Sequence, residues 1–342
     1  MNMNKYLARI KDSKLLWPLA IIGLVLLFDL FFVPGFFHLE IKDGRLFGSL
    51  VDILNRGAPL MLISLGMTLV IATGGIDISV GPVAAIAGAM AAFLIGGESF
   101  TNTPLPLVIV LSLLAAALCG VWNGLLVSRA GIQPIVATLI LFYAGRGIAQ
   151  MITQGQILTI YYRPFYYVGG GHLLGLPFSI FLVALVFIAL KLLLRRTAIG
   201  MFIESVGINS SSSFYSGVDE KNIKLLAYTI CSLCAGVAGL VLMSNIKGAD
   251  ANNTGLLIEL DAILAVVIGG TLLTGGRVSL LGSLLGALII QGLTTSMYSF
   301  GVPPTVVYVA KAGVVFAISL LQSAKFREAI TRPFVSKRKV AK

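Results

Sequence analysis

The chain has 342 residues, 57% of them hydrophobic and 11% charged, with a mean hydropathy of +0.97. A soluble domain carries about 25% charged residues, so this balance excludes an ordinary water-soluble protein and indicates one that crosses a membrane many times. The formal net charge of +11 raises nucleic acid as a partner, and the placement of the charges removes it.

Residues 1–14 carry Lys5, Arg9, Lys11 and Lys14, and the apolar run Leu15–Val33 follows. The run is longer than the core of a secretory leader and lacks a small-residue cleavage site, so it reads as an uncleaved first span. Asp29 near its outer end is expected to snorkel or to be paired. Further spans follow at 58–74, 79–96, 105–128, 134–153, 177–194, 223–244, 258–273, 279–296 and 304–322, about ten in all. The run 258–273 is short and opens with Glu259 and Asp261, so it either dips in and returns or is half of a broken helix.

If the N-terminus is cytoplasmic and each span crosses, 17 of the 25 Lys and Arg fall on the cytoplasmic side, five fall outside and three lie in spans. This bias places both termini in the cytoplasm and explains the basic charge without nucleic acid. The tail 323–342 is basic and suited to lipid headgroups. The outer loop 34–57 ends in a stretch suited to an interfacial helix. The outer loop 154–176 holds four tyrosines, which suit an aromatic belt or an external partner. The inner loop 195–222 is polar, yet it carries Met201, Phe202, Val206, Ile208, Phe214 and Tyr215. The three cysteines lie in apolar runs and read as reduced, packed thiols. His38 and His172 are too far apart in sequence to form a metal-binding cluster.

A span is broken at 73–82, "TGGIDISVGP", and the form returns 201 residues later as "TGGRVSLLG". Each copy leads into small residues at helical spacing, Ala84, Gly88, Ala92 and Gly96 after the first, and Ser279, Ser283 and Ala287 after the second. Matching interruptions in two halves point to a transport pathway, with Asp77 and Ser79 facing a protein-lined space. The alternative is that both are tight inner turns between hairpin helices, and Arg277 suits that reading for the second. Asn123, Gln133, Thr138, Arg146, Asn252, Asn253, Glu259, Asp261, Gln291 and Lys311 are the other polar groups in or beside spans. Such groups are candidates for function or for structural pairing.

The chain has no Gly-x-Ser-x-Gly, no His-Glu-x-x-His and no lysine followed by Ser or Thr, so it carries no P-loop. What remains is a secondary transporter or the permease of a primary one. The string "GMTLVIATGGIDISVGPVAAIAGA" resembles the signature of permease subunits of bacterial monosaccharide ABC importers, the ribose/xylose/arabinose permease family. "GVWNGLLVSRAGIQPIVATL" and "ELDAILAVVIGGTLLTGGRVSLLGSLLGALII" resemble its later blocks in order, over roughly residues 50–322.

The resemblance implies an all-α polytopic membrane protein of two pseudo-repeated halves, some segments discontinuous, with the permease domain at 15–322. It implies no catalysis and no cofactor on this chain, with ATP and Mg on a partner ATPase subunit, and a periplasmic sugar-binding protein as a further partner. The location implied is the bacterial inner membrane. Loop 195–222 resembles the family's coupling region, which implies ATPase coupling by Glu204, Gly207, Asn209, Phe214, Ser216 and Gly217. Ser212 and Ser213 replace the family's paired alanines, which predicts a helix that forms mainly against its partner. The substrate pathway is expected to use Asp77, Ser79, Asn123, Asn252, Asn253, Glu259 and Asp261. "DGRLFGSLVDILNRGAP" and "KGADANNTGLLIELDAILAVVIGG" resemble the galactofuranose importer branch, which pairs two different permeases. Ribose, arabinose or xylose are the alternative substrates, branched-chain amino acids are the nearest other class, and proton-coupled transport is the alternative mechanism.

Overall fold

A computed structural model describes residues 16–33, 35–42, 44–96 and 103–322. The N-terminal segment 1–14 and the basic tail 323–342 lie outside the described residues. Helices dominate: α1 (Leu16–Phe32), α2 (Ser49–Ala72), α3 (Val80–Gly96), α4 (Leu105–Ser128), α5 (Pro134–Ile152), α6 (Arg163–Gly170), α7 (Phe178–Arg196), α8 (Ile199–Ile208), α9 (Ser210–Tyr215), α10 (Glu220–Ile246), α11 (Ile258–Ile268), α12 (Leu280–Ser299) and α13 (Pro304–Gln322). Six of the described helices, α2, α4, α5, α7, α10 and α12, are long and apolar enough to cross a membrane.

The core is built on α2 and α10. Every residue of α2 from Gly57 to Ala72 is buried, so this helix is walled by protein on all sides. That enclosure carries it through Pro59, which removes one helix hydrogen bond. The helix begins at Ser49, earlier than residue 58, because "SLVDILNRG" continues the helical periodicity and merges the expected interfacial stretch with the span. Helix α10 packs on α2, α3 and α4. Glycines bring the backbones together: a Cβ on Gly66 of α2 would stand 2.7 Å from the Cα of Cys231, and one on Gly239 would overlap the Ala84 carbonyl. Gly286 meets the Ala265 backbone in the same way, and Gly88 makes room for the Met243 side chain, which is the use of small residues anticipated above. Thr68 Oγ1 donates to Ser283 Oγ at 2.6 Å and ties α2 to α12.

Three features refine the sequence reading. The fold is not purely helical: two-stranded antiparallel ribbons pair β1 (Glu40–Lys42) with β2 (Arg45–Phe47), β3 (Leu158–Thr159) with β6 (Gly248–Ala249), and β4 (His172–Leu173) with β5 (Leu176–Pro177). Loop 154–176 is folded against α10: Ser244 Oγ donates to the Phe165 carbonyl at 2.7 Å and accepts from the Gly169 amide at 2.8 Å. Asp29 takes the paired one of its two expected outcomes: it is buried, and Ser296 of α12 donates its hydroxyl to it at 2.8 Å.

Helix α11 has 11 residues, about 16 Å long, roughly half a bilayer core. It is a half-helix, one of the two outcomes left open for 258–273. The cysteines are free, with Cys231 and Cys234 buried and Cys119 half-buried.

Candidate functional site

The two Thr-Gly-Gly stretches meet. Helix α2 ends at Ala72, and its carbonyl accepts the amide of Gly276, from the second stretch, at 2.9 Å. Gly74, Gly275 and Gly276 all have positive φ, at 81°, 87° and 80°, a region that glycine enters without steric cost. A Cβ on Gly275 would lie 2.9 Å from both the Gly74 nitrogen and the Gly207 oxygen. Gly207 belongs to α8, in loop 195–222, and a Cβ there would overlap the Ala72 oxygen and the Gly276 nitrogen. One carboxylate oxygen of Glu204, one turn earlier on α8, accepts the Val278 amide at 3.1 Å. Backbone from both stretches and loop 195–222 is therefore locked at one point.

From that point the two stretches diverge. The second is a turn between α11 and α12, whose glycines Gly269 and Gly282 touch. The first runs back into the bundle. A Cβ on Gly75 would meet Tyr228, and Ala84 meets Gly239, so α3 begins beside the middle of α10. Asp77 and Ser79 are fully buried there. Asp77 Oδ1 accepts the Ser79 amide at 2.9 Å and the Ser79 hydroxyl at 2.6 Å, and Asn123 Nδ2 donates to Ser79 Oγ at 2.8 Å. Thr138 Oγ1 receives the Ile78 amide at 3.3 Å, and Tyr228 donates to the Ile76 carbonyl at 3.4 Å. The second carboxylate oxygen of Asp77 and Asn123 Oδ1 have no hydrogen-bond partner among the described residues. A buried acid beside an unmatched amide oxygen is a costly arrangement to leave uncompensated.

The remaining pathway candidates lie on the segment between α10 and α11, Asn252 and Asn253, and in the first turn of α11, Glu259 and Asp261. Asp250 caps the turn through the amides of Asn252 and Asn253, at 3.0 and 3.2 Å. Arg146 of α5 clamps this turn, donating to the carbonyls of Ala251 and Thr254 at 2.9 and 2.7 Å. One turn further along α5, Gln150 donates to Asn252 at 2.6 Å. Glu259 is buried against Gly81, so the N-termini of α11 and α3 face each other, with its Oε2 unpartnered among the described residues. Asp261 pairs with Lys311 of α13 at 2.8 Å. Asn253 and Asp261 line a cavity of about 230 Å³ together with Arg56 and Gln291. The seven pathway candidates thus form two groups, Asp77–Ser79–Asn123 inside and Asn252, Asn253, Glu259 and Asp261 beyond, joined through Gly81.

The coupling candidates also divide. Glu204 and Gly207 are in the junction. Asn209 caps α9, accepting the Ser212 amide at 3.0 Å, and Ser213 and Ser216 bond back to carbonyls four residues earlier. Asn209 thus supplies an N-cap, and the serine hydroxyls bond within the turn. Gly217 ends it at φ 83°, the left-handed conformation that a helix C-terminus favours. Phe214 is 65% exposed, Tyr215 88% and Ile208 75%, so this end carries an uncovered apolar tip. Arg146 and Tyr228 are absent from the sequence-derived site. Arg146 stood out only as a charge within a span, and a tyrosine in an aliphatic helix carries no signal of what it touches.

A helical bundle with six long apolar helices, interrupted segments and buried polar groups at Asp77, Ser79 and Asn123 is the architecture of a multi-pass membrane protein. Residues 49–320 match the model of a family described as the permease component of branched-chain amino acid transport systems, and the chain belongs to that family. It is 51% identical over 316 residues to the galactofuranose transporter permease protein YtfT of Escherichia coli (strain K12), covering 91% of each chain. It is 37% identical over 329 residues to the fructose import permease protein FruF of Bifidobacterium longum (strain NCC 2705), covering 94% of this chain and 91% of that one. It is 33% identical over 296 residues to the ribose import permease protein RbsC of Escherichia coli (strain K12), covering 85% and 88%. No solved structure matches the chain.

Proposed function

We propose that this chain is the membrane permease of an ATP-driven importer and forms the translocation path for a monosaccharide, galactofuranose. The observation that carries the reading is the 51% identity over 91% of both chains to a galactofuranose permease, with fructose and ribose permeases at greater distance. In this reading about ten segments within 15–322 form two pseudo-repeated halves. Both termini lie in the cytoplasm of a bacterial inner membrane, 1–14 and 323–342 being cytoplasmic ends. The partners are an ABC ATPase subunit, which holds ATP and Mg, a second and non-identical permease, and a periplasmic sugar-binding protein.

The junction supports a mechanical route. An ATPase subunit docks on loop 195–222 at the exposed Ile208, Phe214 and Tyr215. Asn209, Ser216 and Gly217 hold that tip in shape. Displacement of α8 passes through the Glu204–Val278 contact and through Gly207 to the end of α2 and to both Thr-Gly-Gly stretches. The first stretch leads to Asp77, Ser79 and Asn123, which form the polar wall of the path at mid-depth and are closed off here by Tyr228 and Thr138. Asn252, Asn253, Glu259 and Asp261 supply hydroxyl-matching groups further along. A neutral sugar needs such amides and acids and no fixed countercharge.

The test is which ligand the cognate binding protein retains, together with the energy source of uptake. Retention of galactofuranose and ATP-dependent uptake are expected. Preference for ribose, arabinose or xylose would defeat the substrate assignment alone. Transport of leucine, or uptake that persists without ATP and collapses with the proton gradient, would defeat the whole reading.

A further inference from the structure

We propose that a cavity between α7, α8 and the start of α12 binds the headgroup of an anionic phospholipid. The cavity holds about 580 Å³ and is lined by Phe187, Lys191 and Arg195 of α7, by Glu204 of α8, and by Val278 and Leu281 near the α12 start. Its volume falls in the range of small-molecule sites, about 300–1,000 Å³.

Three features point to a lipid. The first is charge. Lys191 and Arg195 are one helical turn apart, so their like charges share one face and repel. Among the described residues neither has an ion-pair partner; Lys191 lies 5.5 Å from the Phe187 ring centroid. Glu204, the one acid among the described lining residues, turns an oxygen to the Val278 amide. The lining therefore carries a net positive charge, and neither cation is in ion-pair contact with a carboxylate among the described residues.

The second feature is position. The two cations lie in the last turns of α7, Lys191 beside the end of a strip of exposed Leu185, Ile188 and Leu192 and Arg195 one turn past it. That strip suits acyl chains, and a headgroup above it would be level with Lys191 and Arg195. Basic pockets between helices at the membrane boundary favour anionic lipids in this way. The third is the mixed lining: Phe187, Leu194 and Leu281 accept the glycerol backbone and first methylenes while the cations take the phosphate. The inference needs the chain to be membrane-embedded and is independent of the sugar it carries.

The experiment uses the full chain in vesicles with spin-labelled phosphatidylglycerol or phosphatidylcholine, reading the immobilised fraction by electron spin resonance. The expected result is at least about a threefold preference for phosphatidylglycerol. Lys191→Gln/Arg195→Gln, which keeps good helix formers, should abolish the preference, and Arg129→Gln should not. Equal retention of both lipids by the wild type, or an unchanged preference in the double variant, would overturn the proposal. Displacement of the label by soluble glycerol phosphate would mean a site for a free anion and would also overturn it. So would loss of ATPase-subunit binding in the double variant with lipid preference intact.

Discussion

The amide of Gly276 donates to the carbonyl of Ala72 at 2.9 Å, and this one bond joins the two Thr-Gly-Gly stretches at the spot where α8 presses in through Gly207. The end of a fully buried helix, the turn between α11 and α12, and loop 195–222 are thereby joined at one point. The contact is close, since a Cβ added to Gly207 would overlap both the Ala72 carbonyl oxygen and the Gly276 nitrogen.

Gly207→Ala is therefore expected to separate the junction while the bundle remains inserted. Sugar-stimulated ATP hydrolysis should fall to the unstimulated level. Gly217→Ala, where nothing lies within 4 Å of an added Cβ, should cost only the left-handed backbone penalty, about 1 kcal/mol, and retain most stimulation. Equal effects of the two substitutions in proteoliposome ATPase assays would count against the junction.

Glu204 holds the Val278 amide with one carboxylate oxygen. Glu204→Gln keeps an acceptor, and Glu204→Ala leaves a half-buried amide unmatched at about 1–3 kcal/mol. The alanine variant should unfold several degrees lower and couple poorly, and the glutamine variant should resemble wild type. The check is a thermal melt in detergent beside a coupled transport assay.

Phe214→Asp places a charge on the apolar tip without touching the bundle. The permease should reach the membrane in normal amount, while its ATPase subunit no longer co-purifies with it. Normal co-purification would remove the tip from the docking surface.

Asp77→Asn preserves an oxygen for the two Ser79 donors and loses the charge. The variant should fold, with sugar uptake reduced about tenfold or more. Normal uptake in Asp77→Asn combined with loss of folding in Asp77→Leu would show that the carboxylate only caps α3.

Arg146→Ala leaves the carbonyls of Ala251 and Thr254 without their cationic donor. Bonds to a charged group contribute about 1.5–3 kcal/mol each. Amide hydrogen exchange in 250–257 should accelerate strongly, with α2 and α10 unaffected. Unchanged exchange in that turn would show that Arg146 does not restrain it.

The apolar helices and the repeated motif were legible because hydropathy and glycine placement report on helix breaks, while the short run at 258–273 was left between two outcomes. The start of α2 at Ser49 was not legible, because "SLVDILNRG" is too polar to register as a span and only its continuous helical backbone unites it with Pro59 and beyond. The inward turn of Asp29 depends on Ser296, and the clamp on the 250–254 turn depends on Arg146. These partners are distant in sequence, and no local pattern announces them. The inequality of the two Thr-Gly-Gly stretches was also hidden, since equal strings lead into different surroundings: Tyr228 and Asn123 receive the first, and Gly269 and Gly282 close the second into a turn.

The most direct test of the account places the chain with its ATPase subunit and companion permease in proteoliposomes, adds binding protein loaded with labelled galactofuranose, and measures sugar accumulation with and without ATP. The account predicts accumulation that requires ATP, persists when the proton gradient is collapsed, and disappears in Gly207→Ala despite normal insertion. Accumulation without ATP, or full ATP-driven accumulation in Gly207→Ala, would contradict it.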